Sequence, residues 1–135
     1  FNSLSIFILC IYLIFRLVNL HIYVYNNIMD DKLLEEIRTD IIEAIKTVYD
    51  PEISVDIYNL GLIYDINVNN DHTVDITMSL TSAFCPAAGD IPIWVENATV
   101  GSHDWIDKCT VKVTFDPPWG QHMMSDEAKI DLGFF

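Results

Sequence analysis

The sequence predicts an α+β fold: a two-layer α/β arrangement in which a small, mostly antiparallel sheet of about three strands is covered by helices, in the order α-β-β-α-β-α. Three observations predict it. Apolar residues recur at helical spacing ahead of Asp50. Two alternating runs then flank a polar turn. A third alternating run lies beyond a stretch long enough for a helix. The 135 residues suffice for one domain with a modest core.

Residues 1–28, FNSLSIFILCIYLIFRLVNLHIYVYNNI, stand apart in composition. They hold no acidic residue and one basic residue, Arg16, while all 20 acidic residues lie from Asp30 onward. The segment is long enough to span a bilayer. Arg16, Asn19 and His21 interrupt it near the middle, however, where a charge is costly. It lacks the basic start and small-residue cleavage site of a signal peptide. It is therefore read as upstream sequence translated by mistake, with Met29 as the true start, in preference to a membrane anchor. Residues 29–135 are expected to form the single working domain.

The first element of that domain is an amphipathic helix over DDKLLEEIRTDIIEAIKTVYDPE. Leu33, Leu34, Ile37, Ile41, Ala44, Ile45 and Val48 share one face. Asp30 and Asp31 suit its start, where they complement the helix dipole, and Asp50-Pro51 suits its end. LGLIYDINV follows, with Leu62, Tyr64, Ile66 and Val68 on one side and Asp65 and Asn67 on the other. TVDITMSL sets Val74, Ile76, Met78 and Leu80 against Asp75, Thr77 and Ser79. NNDH between them is turn chemistry, so the two runs make a hairpin. CTVKVTF is the third strand, with Cys109, Val111, Val113 and Phe115 in phase. After the break at DPPWG, SDEAKIDLG is a short helix capped by Ser125 and stopped by Gly133.

Charge and cysteine usage limit the partners. With 20 acidic and 7 basic residues the net charge is −13, which disfavours nucleic acid and anionic membrane surfaces. An acidic solvated surface also serves solubility alone. Three cysteines at wide spacing, Cys10, Cys85 and Cys109, make neither a disulfide framework nor a CxxC metal site. A reducing compartment, the cytoplasm, is expected.

Cys85 carries the chemical interest. It falls at the end of the second strand, in TSAFCPAAG. Pro86 after it suits the first position of a helix, which makes Cys85 an N-cap facing unpaired N–H groups. Such a position favours thiolate, the nucleophile and metal ligand. Pro92 would kink a helix begun at Pro86, so the helix proper starts near Asp90 in the alternative reading. Cys85 is then either a reactive thiol or a small buried hydrophobe. Cys109 is read as core, and His72, His103 and His122 as surface residues. No GxSxG elbow and no phosphate loop occurs.

Three stretches in order, DPEISVDIYNLGLIYDI, MSLTSAFCPAAGDIP and FDPPWGQHMMSDEAKIDLGFF, resemble the metal–sulfur cluster biosynthesis domains of the SufT and PaaD type. The similarity runs from about Leu33 to Phe135. The family's Pro-Gly ahead of its cysteine is Ala83-Phe84 here. The resemblance implies an accessory, non-catalytic role in iron–sulfur cluster assembly, with Cys85 as a transient ligand for iron or a cluster, or as a docking thiol. Asp50, Glu52 and Thr81 carry over as supporting residues. The implied partners are a SUF-type scaffold or a P-loop carrier ATPase, and apo iron–sulfur proteins. Trp119, Met123 and Met124 offer side chains suited to a partner contact. A cluster wants four thiolates, so further ligands would come from a second subunit (a homodimer), a partner or a small thiol. The alternatives are a protein-binding adaptor with a structural Cys85 and a thiol-dependent enzyme, including a PaaD-like role in a ring-hydroxylation pathway.

Overall fold

A computed structural model describes the backbone of residues 3–134 and the side chains of residues 4–25 and 30–134. The elements in chain order are α1 (Ser3–Ile45), β1 (Ile63–Val68), β2 (Thr73–Met78), α2 (Ile91–Ser102), β3 (Lys108–Val113), a single 3-10 turn (Gln121–Met123) and α3 (Asp126–Asp131). The chain divides into two compact units, residues 1–35 and residues 36–135.

In the first unit the described side chains from Leu4 to Tyr25 are exposed, Leu4 to 72% and Tyr25 to 59%. The helix containing them is long and apolar enough, by length and composition, to cross a membrane. A helix start at Asp30 was expected; instead α1 is continuous through that point. No glycine or proline occurs before Pro51, so nothing in the sequence interrupts the hydrogen-bond ladder.

In the second unit the end of α1 buries Ile37, Ile41 and Ile45, spaced one helical turn apart. Leu33, in the first unit, stays 38% exposed. The helix stops at Ile45, ahead of the expected Asp50-Pro51, because the chain tightens there: the Val48 N–H donates to the Ile45 carbonyl at 3.0 Å. Burial of the three isoleucines contributes about 1.5–3 kcal/mol each.

The sheet has the order β1-β2-β3. β1 and β2 form the expected antiparallel hairpin, with Ile66 opposite Ile76 and Val68 opposite Val74. The turn places His72 at φ 65° and stacks its ring on Trp105, with centroids 4.4 Å apart. β2 and β3 are parallel, with Val74 beside Cys109 and Met78 beside Val113. The sheet is thus mixed rather than mostly antiparallel. The physical reason is α2, which carries the chain back so that β3 re-enters in the direction of β2. Val74, Ile76, Met78 and Leu80 are buried as their alternation predicts. Ser79, expected outward, is fully buried just past the strand, where its N–H donates to the Leu62 carbonyl at 2.8 Å. Phe115 lies beyond the end of β3 and is 48% exposed instead of continuing the buried phase.

α3 forms as read. The Ser125 hydroxyl accepts from the Ala128 N–H at 3.1 Å, and Gly133 ends the turn at φ 76°. Gly61, also at φ 76°, permits a different contact. A Cβ there would run into the backbone of Met123, so only glycine lets the segment after DPPW approach the start of β1.

Candidate functional site

Two loops make the site. The first follows α1. Asp50 is buried, and its Oδ1 accepts from the Glu52 N–H at 2.9 Å across Pro51. The Ile53 N–H donates to the Asp50 carbonyl at 3.2 Å, and Tyr49 bridges to Asp56. These bonds turn the chain so that the Glu52 side chain stands exposed at the surface.

The second loop follows β2. The Cys85 N–H donates to the Ser82 carbonyl at 3.3 Å, and the Ala88 N–H donates to the Cys85 carbonyl at 3.0 Å. Cys85 therefore sits in a turn ahead of α2 and is not the helix N-cap. That position belongs to Asp90, whose carbonyl accepts from the Trp94 N–H at 3.0 Å. Pro92 decides the matter: a proline is tolerated within the first turn of α2 but not inside a longer helix begun at Pro86.

The loops meet. Pro51 and Glu52 from the first, and Cys85, Pro86 and Ala87 from the second, line one pocket of about 300 Å³ together with Asp90 and Trp94. Cys85 is half-buried there. Asp90 and Trp94 escaped the sequence reading, although their four-residue spacing at the start of a helix puts them on one face. Thr81 is half-buried and does not line this pocket.

Cys109 is buried on β3, as expected. Burial pushes its thiol up from 9.0 to about 11, opposed by Thr99 and reinforced by Glu96 and Asp75. The Thr99 hydroxyl on α2 is buried with no hydrogen-bond partner within bonding distance and lies near enough to act on this thiol.

The C-terminal residues are held by the fold. The Trp119 Nε1 donates to the Leu60 carbonyl at 2.7 Å, and its ring packs on the core. Met124 is buried, which removes its side chain from any surface contact. Met123 is half-buried beside Gly61, Ile63, Tyr64 and Pro117, with its sulfur 3.7 Å from the Tyr64 hydroxyl.

The donor set bears on cofactor chemistry. Cys85 supplies one thiol and Glu52 and Asp90 supply carboxylates. Among the described residues no three His, Cys, Asp or Glu side chains converge to hold a metal ion. A conventional cluster with four thiolates does not fit this chain alone.

Residues 38–117 match the family model for iron-sulfur cluster assembly proteins. The chain belongs to that family. It is 45% identical over 106 residues to an Fe-S protein maturation auxiliary factor of Porphyromonas gingivalis, covering 78% of this chain and 99% of that protein. It is 40% identical over 99 residues to the Fe-S protein maturation auxiliary factor YitW of Bacillus subtilis, covering 73% and 96%. Among solved structures, a domain of unknown function (DUF59) from Bacillus anthracis is 37% identical, with a TM-score of 0.69 over 75% of this chain and 95% of that one. A conserved hypothetical protein from Thermotoga maritima is 34% identical, with a TM-score of 0.60 over 70% and 92%. The chain covers nearly the whole length of those relatives, and its α+β fold is theirs.

Proposed function

We propose that this family member is an accessory factor in the maturation of iron–sulfur proteins and that it works through Cys85 as a transient ligand for iron or a cluster. The observation that carries the proposal is the open pocket lined by a single thiol, Cys85, together with Glu52 and Asp90, with no second cysteine on its walls. The relatives named as Fe-S protein maturation auxiliary factors support the same role.

The chemistry is ligand exchange. One thiolate holds iron weakly compared with four, so release is built into the site. As an acceptor thiol approaches, its sulfur bonds to iron, the bond from iron to Cys85 breaks, and the acceptor's proton passes to Cys85 or to solvent. Nothing is oxidised or reduced. Glu52 supplies an oxygen ligand or steadies the incoming group. The remaining ligands come from the scaffold, carrier or apo-protein that the factor serves, and the factor itself is not a turnover catalyst.

Anaerobic reconstitution tests this. With ferrous iron and sulfide alone the protein should retain little of either. With added dithiothreitol as a second source of thiol, iron and sulfide should bind in proportion to Cys85. Equal retention by Cys85→Ser would overturn the proposed ligand.

A further inference from the structure

Asp90 holds the N-cap position of α2, yet its carboxylate accepts no hydrogen bond from the helix it opens. An aspartate there ordinarily bonds an N–H two or three residues on, a contact worth about 1 kcal/mol; Pro92 removes the first of those donors, leaving only the Ile93 N–H, which the side chain does not bond. Here φ −94° and ψ −37° already place the residue in the helical region, and the side chain lines the Cys85 pocket instead. Glu52 lines the same pocket from the loop after α1. Lys46 pairs with Glu43 and Lys129 with Asp126, and neither lysine neutralises Glu52 or Asp90. No cation lines the pocket. Beside the thiol, Phe84 is 94% exposed, and Trp94 on the pocket wall is 40% exposed.

Resting on the reading that Cys85 is the working thiol, we propose that the partner segment which meets it is basic and cysteine-bearing, and that it places an apolar residue against Phe84 and Trp94. Two carboxylates that line the same pocket as the thiol, with no cation on its walls, attract a cationic segment and repel acidic thiols, which sets both encounter rate and choice of partner. An aromatic ring this exposed gains most from being covered. The apolar contact and the charge complementarity thus select the same kind of segment, one in which lysine or arginine flanks the cysteine.

Thiol–disulfide exchange on the full-length protein tests this. The probes are the peptides Lys-Leu-Cys-Lys, Glu-Leu-Cys-Glu and Lys-Ser-Cys-Lys, each activated as a mixed disulfide with 2-thiopyridine. The Cys85 thiolate attacks the peptide sulfur, a new disulfide forms as the old one breaks, and the 2-thiopyridine leaving group takes a proton from solvent. Peptide mapping assigns the adduct to Cys85. Comparing probes on one protein at one pH cancels the thiolate fraction.

The basic leucine peptide should react roughly tenfold faster than the acidic one at low ionic strength. That ratio should fall towards one in Glu52→Gln/Asp90→Asn, an isosteric change at two exposed positions. The serine peptide should lag behind the leucine peptide, and Phe84→Ser should remove the lag. Equal rates for the basic and acidic peptides, or a ratio unchanged in the double variant, overturn the inference. Equal rates combined with maturation lost in Cys85→Ser cells discard the basic partner and leave the thiol's role standing. Maturation undisturbed by Cys85→Ser overturns both.

Discussion

The Glu52 N–H donates to Asp50 Oδ1 at 2.9 Å, and this bond separates two acids that the sequence presents as a pair. Asp50 turns its carboxylate inward and is buried; Glu52 turns outward and reaches the Cys85 pocket. One shapes the loop and the other is available for chemistry.

Asp50→Ala should therefore lower stability by about 1–3 kcal/mol, the range for leaving a hydrogen-bonding partner unsatisfied. Glu52→Ala should shift stability by less than about 0.5 kcal/mol and impair maturation more. Urea unfolding and cellular maturation, measured on both variants, check the division. Equal functional loss with no change in stability would mean the roles are divided wrongly.

Cys109 predicts a dependence on pH. Its thiol ionises at about 11 in the fold against 9.0 when free. The unfolded chain therefore loses this proton first as pH rises. The stability tied to the neutral thiol is complete below pH 9 and is lost as pH climbs towards 11. Wild type should lose more stability across that window than Cys109→Ala, measured by thermal unfolding of the two side by side. At pH 8 the raised value also cuts the Cys109 thiolate about a hundredfold. Iodoacetamide should label Cys85 well before Cys109 in the folded protein, and both in urea.

Trp119 tests whether the DPPW segment is part of the fold. Its indole N–H is the donor to the Leu60 carbonyl, and Leu60 is fully buried. Trp119→Phe keeps a ring but removes the donor, and should cost about 1 kcal/mol in denaturant unfolding. An unchanged midpoint would free Trp119 for a surface role.

Much of this architecture was legible because its signals are local. The alternation in TVDITM marks β2, and Ser125 with Gly133 marks the ends of α3. What escaped depended on distant partners. The parallel pairing of β3 follows from how α2 packs, which periodicity does not encode. Ser79 is buried because Leu62 accepts its N–H, a contact across the hairpin. At the site, the thiol and Glu52 were found by motif. Asp90 was read only as the place near which the helix starts, and its position on the pocket wall follows from the fold.

The two units predict the effect of truncation. The described side chains of residues 4–25 are exposed, while the core belongs to residues from Ile37 onward. A chain beginning at Met29 should unfold cooperatively with the same midpoint as the full chain and be recovered without detergent. A truncated chain without a cooperative transition would make the apolar segment part of the fold.

The central claim is that Cys85 does the work of maturation, and one measurement meets it directly. Cells lacking the native protein are complemented with wild type or Cys85→Ser at matched expression, and the specific activity of their iron–sulfur enzymes is measured beside enzymes without clusters. Cys85→Ser should accumulate as a folded protein yet leave the iron–sulfur enzymes at the level of uncomplemented cells, with the other enzymes unaffected. Full restoration by Cys85→Ser would contradict the account and reduce the thiol at this corner to packing.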